Sequence, residues 1–506
     1  MRPALPPTPA HAVAVLGCTS GAGKTWLATA LCRWYARRGL TVKPFKAQNM
    51  SNHARVVALA DGGVGEIGSA QYFQALAAGA VPEPRMNPVL LKPEADTRSQ
   101  VVVMGQVRAD LTTMPWRQRS ALLWPAAREA LHSLRRSCEV LVIEGAGSPA
   151  EINLAANDYV NTFTTREAQA AALLVADIDR GGAFAHLYGT HALMDDQVRA
   201  QLRGYVLNRF RGDPALLAPA PEMLRHRTGV PVLGVLPMMR HHGLPEEDAV
   251  PQGLTGTGGV LVLAPPHASN LDEFEPLVRA GVPVRYTRSA ADLATAHWLV
   301  LPGSKHTRAD LAWVRQQPGL VAALQGHVAA GKPLLAVCGA LQWLGEVVHD
   351  PLGLEGGTAE HGPGSSPGLG LLPLHTVFEP AKRLAQATHR LGPLQGPWSA
   401  LSGLAVQGYE IHLGRSTLAP GSTARPAFRA GEAGGAGAPD TAHLGWQHGP
   451  VLALYLHGLF ENPAVVQALF GRSLPALDTV FDRLADAVDE HLGEAVLMDL
   501  LRPRLD

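Results

Sequence analysis

Apolar runs of strand length alternate with helical patterns along most of the chain. Residues 11–17 (HAVAVLG), 140–147 (VLVIEGAG), 171–179 (AALLVADID), 204–210 (GYVLNRF) and 230–237 (VPVLGVLP) are nearly continuous apolar stretches. That pattern predicts parallel strands buried on both faces. After the first of them, 25–39 (TWLATALCRWYARRG) spaces its apolar residues helically and ends at Gly39. The order is that of an α/β fold with crossover helices. Residues 240–259 are polar and rich in Gly and Pro, which predicts a linker. A second α/β series follows in 260–266 (VLVLAPP), 297–306 (HWLVLPGSKH), 333–345 (PLLAVCGALQWLG) and 451–460 (VLALYLHGLF). Residues 427–440 predict a surface loop, and 480–502 predict one closing amphipathic helix. The expected layout is a first doubly wound domain over 1–240, a linker over 241–259, a second doubly wound domain over 260–470 and a helical segment over 471–506.

Composition narrows the function classes. The 506 residues hold 43 Lys plus Arg against 43 Asp plus Glu, so no basic excess points to nucleic acid. No run reaches the ~18 apolar residues of a membrane span, and the Pro-rich start does not have the form of a signal peptide. The four cysteines, Cys18, Cys32, Cys138 and Cys338, show neither metal spacing nor a disulfide framework. Reduced thiols and a cytoplasmic location are the expectation.

The stretch 14–27 (AVLGCTSGAGKTWL) has the form of a phosphate-binding loop with displaced spacing. Gly17 stands seven residues before Lys24 instead of six. Backbone N–H groups from Thr19 through Gly23, together with the helix start, would wrap a polyphosphate. Gly21 and Gly23 permit close approach, Lys24 supplies a point charge, and the Thr25 hydroxyl can hold Mg²⁺. Glu144, at the carboxyl end of an apolar strand, faces the crevice where ligands gather in open α/β sheets and is a second Mg²⁺ candidate. Asp61, on a Gly-rich loop, is a third, although a plain turn uses the same letters.

A second constellation lies downstream. Cys338 sits between an apolar strand and a helix, where the helix N-terminus favours a thiolate. His457 ends another apolar strand, and a Cys and a His on neighbouring strand ends make a nucleophile and base. A buried inert thiol and a satisfied core histidine are the alternatives.

The displaced loop resembles that of dethiobiotin synthetase, a subclass that phosphorylates carboxylate-type oxygens. Together with 44–51 (PFKAQNMS), 86–96 (MNPVLLKPEAD), 143–154 (IEGAGSPAEINL) and 175–187 (VADIDRGGAFAHL), the chain resembles the cobyric acid synthase family over nearly its whole length. The second half resembles that family's class I glutamine amidotransferase domain, with 408–416 (GYEIHLGRS) as a further signature. The resemblance implies ATP, glutamine and a corrinoid as substrates, Mg²⁺ as cofactor, and no nucleic-acid partner. It places Thr19, Ser20, Gly21, Gly23, Lys24, Thr25, Lys46 and Asn208 at ATP, with Asn208 at the adenine edge. It places Asp177, Asp179 and Arg180 in the substrate crevice, and Gly303 and Gly339 as oxyanion donors. His412 would be structural. The acid that follows the His by two residues in many relatives is Leu459 here, so no third member is named. Ala336 and Ala340 stand where the family has glycines flanking Cys, and retained geometry is expected. The implied activity is amidation of carboxylates b, d, e and g of adenosylcobyrinate a,c-diamide. The alternatives are cobyrinate a,c-diamide synthase and a non-enzymatic ATPase regulator.

Overall fold

The computed structural model describes residues 9–95, 98–245, 259–355, 362–429 and 443–503. The five apolar stretches of the first half form five of six parallel strands. Their spatial order is Val232–Pro237, Leu202–Phe210, Ala171–Asp177, His11–Gly17, Val140–Glu144 and Val42–Phe45. The edge strand Val42–Phe45 contains Lys43 and Pro44, too little for an apolar run. Register pairs Val15 with Glu144, Gly17 with Val175, and Asp177 with Asn208. The central strands therefore end together, and their ends carry Gly17, Glu144, Asp177 and Asn208.

In the second half Val284–Thr287, Val260–Leu263, Trp298–Leu301, Leu334–Val337 and Val451–Leu454 run parallel in that order. The sheet continues antiparallel into Gly445–His448 and Arg425–Pro426. Antiparallel pieces that the sequence pattern did not single out are attached to it. The longest joins Ala405–His412 to Arg383–Arg390 on one side and to Leu456–His457 on the other.

The closing segment differs from the expected single helix. Leu477–Leu492 and Glu494–Asp499 are separate, broken at Gly493, whose φ of 82° only glycine adopts easily. The first of them buries Val480, Phe481, Leu484, Ala485, Val488 and Leu492, a helical-period stripe, against the first half's core. It lies along the helix Lys24–Arg37, with Arg33 paired to Asp478 and Asp482, and Arg37 to Asp486. The expected surface loop also needs correction, because Ala427 and Phe428 are buried. Its remainder from 430, and most of the expected linker (246–258), lie outside the described residues.

Two hairpins of the first half meet the second half. Ala54–Ala58 pairs with Val64–Gly68, and Val89–Ala95 with Arg98–Val103. Ala54, Val56, Leu90 and Val102 from them pack on Tyr409 and Ile411. Beside this apolar contact the buried Glu66 carboxylate joins the ammonium groups of Lys92 and Lys382. Lys305 donates to Glu94 Oε1 at 3.2 Å.

Candidate active sites

The His11–Gly17 strand delivers the chain to a turn that opens the helix Lys24–Arg37. Gly21 (φ 71°) and Gly23 (φ 97°) take left-handed conformations there. Lys24 folds back over the strand end: a Cβ on Gly17 would lie 2.9 Å from Lys24 Cδ and 3.0 Å from Nζ. The displaced glycine thus makes room for the lysine stem. Lys24 Nζ donates to the carbonyls of Thr19 (3.0 Å) and Gly147 (3.2 Å), so its charge sits between two strand-end loops. Thr19, Ser20 and Gly21 are exposed at the mouth. Cys18 is buried, and burial, against weaker opposing effects of Thr190 and Lys24, pushes its thiol up to about 11.

Glu144 is the hub of this site, buried to 1% exposure. Its Oε1 accepts from Thr25 Oγ1 at 2.8 Å and from Lys46 Nζ at 2.9 Å, and its Oε2 from Gln74 Nε2 at 2.6 Å. Thr25, Lys46 and Glu144, widely separated in sequence, are therefore brought together. Gln74 was not foreseen; an amide on a helix offers no sequence signal of this kind.

Asp61 is not brought there. It is exposed at the tip of the Ala54–Gly68 hairpin, where its carboxylate accepts from the Gly63 N–H at 2.9 Å. The opposite end of that hairpin feeds the helix Ser69–Ala77, which carries Gln74 to Glu144. Five strand residues at ~3.3 Å each put about 16 Å between the two ends. The Asp61 reading is corrected on that ground, and Glu66 of the same hairpin is taken by its two lysines.

On the other side of the loop, Asp177 Oδ2 lies 3.1 Å from Arg209 Nη1 and 3.4 Å from Arg180 Nε. The Arg180 guanidinium also reaches Gly21, whose Cβ position is 3.8 Å from Nη2. Asp179 pairs with Arg211. Asn208, expected at adenine, donates Nδ2 to the Ala22 carbonyl at 2.9 Å and accepts from the Arg209 N–H with Oδ1. It braces the loop, and an adenine contact would require exchanging these partners. Among the described residues no three acids, histidines or cysteines cluster as a metal cage. Thr25 with Glu144 does fit Mg²⁺, which is commonly held by one or two protein oxygens plus substrate phosphates.

The second site forms where Leu334–Val337 turns into the helix Gly339–Leu344. Cys338 occupies the turn with φ 52° and ψ −108°, a strained elbow that lifts the thiol out of the strand. Ala336 and Ala340 are fully buried, so the elbow forms despite the missing glycines. Cys338 Sγ lies 3.8 Å from the Ile411 carbonyl. His457 is buried on the adjacent strand end, and its Nε2 has no hydrogen bond among the described residues. Its Nδ1 lies 3.0 Å from Glu273 Oε1, and Glu273 Oε2 accepts from the Gly458 N–H at 3.1 Å. Glu273 is an acid on His457 that sequence reading missed. It lies 184 residues upstream of its partner, in a stretch (SNLDEFEP) whose acids give no hint of burial.

Electrostatics favour a charged imidazole. Burial opposes it, but the Glu273 carboxylate and then the Cys338 sulfur outweigh burial and raise His457 to about 10. The two expected oxyanion glycines adjoin the pair. A Cβ on Gly303 would meet His457 Cε1 at 3.1 Å, and one on Gly339 would meet the Ser304 backbone N at 2.9 Å. Gly339 has no room for a side chain, and Gly303 has little. His412 is stacked on Tyr455 at 3.9 Å, with Nδ1 3.2 Å from the Gly414 carbonyl, outside the Cys338–His457–Glu273 array. All four cysteines are free and buried.

Residues 13–248 match the CobQ/CobB/MinD/ParA nucleotide binding domain, and residues 259–465 match the CobB/CobQ-like glutamine amidotransferase domain. A cobyric acid synthase of Leptothrix cholodnii is 58% identical, with 98% of each chain covered. One of Methylibium petroleiphilum is 58% identical over 98% of this chain and 97% of its own. One of Paracidovorax citrulli is 58% identical over 96% of this chain and 98% of its own. Among the described residues no helix is long and apolar enough to cross a membrane.

Proposed function

The chain belongs to the cobyric acid synthase family of glutamine-dependent ligases, and from that premise we propose that it amidates peripheral carboxylates b, d, e and g of adenosylcobyrinate a,c-diamide. A carboxylate is a poor electrophile at neutral pH. In the first half its oxygen takes the γ-phosphoryl group of ATP, giving an acyl phosphate and ADP. Catalysis there is positioning and charge stabilisation: Lys24 and Lys46 offset phosphate charge, and the backbone N–H groups of Thr19, Ser20, Gly21 and Gly23 cradle it. Thr25 and Glu144 would hold Mg²⁺, which when bound would supply positive charge to the phosphates. Arg180, Asp177 and Asp179 line the acceptor side, and Asn208 holds the loop.

In the second half the Cys338 sulfur attacks the glutamine carboxamide carbon. The oxyanion faces the N–H groups of Gly303 and Gly339. The His457 imidazolium gives its proton to the departing nitrogen, ammonia leaves, and water hydrolyses the thioester to glutamate. Ammonia then attacks the acyl phosphate, expelling phosphate and leaving the amide.

The observation that most supports this reading is the buried Cys338–His457–Glu273 array, together with Glu144 linking Thr25 to Lys46. The array speaks against a non-enzymatic regulator, and the relatives' shared name speaks against the sister a,c-diamide synthase. The test is incubation with ATP, Mg²⁺, glutamine and the a,c-diamide corrinoid, with the product weighed. Four successive carboxyl-to-amide conversions are expected; an unchanged corrinoid overturns the reading.

A further inference from the structure

Arg55 comes from the first half but ends among the residues that frame His457. It lies on the Ala54–Ala58 strand and is 2% exposed. Its Nη2 and Nε reach Asp272 Oδ2 at 2.6 and 3.2 Å, and its Nη1 pairs with Glu461. Asp272 directly precedes Glu273, the acid on His457 Nδ1. Glu461 closes the short turn Leu459–Glu461 that directly follows His457 and Gly458. The Arg55 guanidinium carbon also lies 5.0 Å from the ring of Tyr409, and that ring stacks on His457 at 5.2 Å and 15°. The strand is fixed in place by the Ala54 N–H, which donates to Asn270 Oδ1 at 3.2 Å, and Asn270 Nδ2 in turn donates to the Tyr409 hydroxyl at 3.1 Å.

One guanidinium therefore ties together the segment before Glu273, the turn after His457 and the ring on His457. Asp272 is wholly buried, and apart from Arg55 its nearest ion-pair partner is His53 at 3.6 Å. A buried carboxylate stripped of its guanidinium is strongly unfavourable, so the Leu271–Phe274 turn would rearrange to reach solvent or a proton. Glu273 rides on that turn.

We propose that Arg55, a residue of the nucleotide-binding half, is a positioning residue for the glutaminase, holding Glu273 and His457 in register so that Cys338 is competent only when the two halves are docked. This rests on the reading of Cys338 as the glutamine nucleophile. It gives the enzyme a physical reason not to release ammonia from an undocked amidotransferase half.

The experiment uses the full chain carrying Arg55→Met, Arg55→Lys or Cys338→Ala. For Arg55→Met, kcat for glutamine hydrolysis should fall on the order of 10²-fold, the scale of an ångström-sized misplacement, with KM for glutamine little changed. Iodoacetamide labelling of Cys338, read by peptide mass, should slow in parallel. Ammonia-dependent amidation should stay within about twofold of wild type, because Lys24, Lys46 and Glu144 are untouched. Arg55→Lys should recover part of the glutaminase, since it keeps the charge but cannot fork to both carboxylates. Wild-type glutaminase in Arg55→Met overturns the proposal. So does loss of ammonia-dependent amidation in step with glutaminase in both Arg55 variants, which would make Arg55 a residue of the fold alone. Glutaminase surviving in Cys338→Ala overturns the underlying reading instead, whatever the Arg55 variants do.

Discussion

Lys24 lies across Gly17, so close that a methyl group on the glycine would fall 3.0 Å from the lysine Nζ. The loop's displaced spacing and the position of its charge are one feature. Gly17→Ala should push the ammonium off the Thr19 and Gly147 carbonyls and cut ammonia-dependent amidation, approaching the loss in Lys24→Ala. That reference loss should be on the order of 10²-fold or more. Glutamine hydrolysis without ATP should persist in both variants. Normal ammonia-dependent turnover in Gly17→Ala would show that the lysine does not need this path.

Cys338→Ala should abolish amidation with glutamine and leave amidation with ammonium salts. The two sites sit on different sheets and share no side chain. Steady-state rates with each nitrogen donor decide it, and equal loss with both donors would refute the two-site reading.

Glu273→Gln keeps the shape of the orienting side chain and removes its charge. Glutaminase kcat should fall on the order of 10²-fold or more, as for orienting acids in other triads. Burial opposes the His457 charge, and Glu273 is the largest influence raising it to about 10. Without that carboxylate the folded value drops, so the imidazolium needed for ammonia departure is lost at lower pH. The basic limb of the kcat/KM profile for the Cys338–His457 pair should move toward neutrality. A profile with an unmoved basic limb would assign the charge to another group.

Glu144→Gln should spare glutamine hydrolysis and impair ammonia-dependent amidation. Mg²⁺ prefers anionic oxygen, and the amide would also lose the ion pair with Lys46. Raising Mg²⁺ should restore part of the rate. Superimposable Mg²⁺ titrations of wild type and variant would show that the metal is held elsewhere.

Glu66 makes the docked interface sensitive to acid. Burial would raise its carboxyl, but the Lys382 and Lys92 ammonium groups outweigh burial and bring it from 4.5 to about 2. A carboxyl depressed on folding contributes stability above its unfolded value and loses it as pH falls toward the folded one. Wild type should therefore melt higher than Glu66→Gln at neutral pH, and the gap should narrow from pH 4.5 downward. Thermal melts across that range test it, and a constant gap would mean that the pairing with Lys92 and Lys382 adds nothing.

The parts of the sites that were legible in the sequence were those tied to one strand end and its turn. Gly17, Glu144, Cys338 and His457 each stand at the carboxyl end of an apolar run, where periodicity alone locates a crevice, and Lys24 opens the helix that follows the first of these turns. Glu273, Gln74 and Arg55 were not legible because their roles arise from packing between distant segments. Nothing local separates Glu273, which meets His457, from its neighbour Asp272, which meets Arg55. Asp61 shows the converse: a Gly-rich acidic stretch that looked like a metal loop is a hairpin tip whose acid binds its own backbone.

The helix Leu477–Leu492 covers a face of the nucleotide-binding half yet is encoded beyond the whole amidotransferase half. During synthesis Trp34 and Tyr35, whose partners Asp489 and Leu497 lie in the closing segment, must wait for them until hundreds of later codons have been read. The nucleotide-binding half therefore matures only alongside the segment that follows it. Cutting the gene between the halves, within the codons for 246–258, would not yield two self-sufficient proteins. The upstream fragment would emerge with an oily flank and the downstream one with the lid that belongs on it.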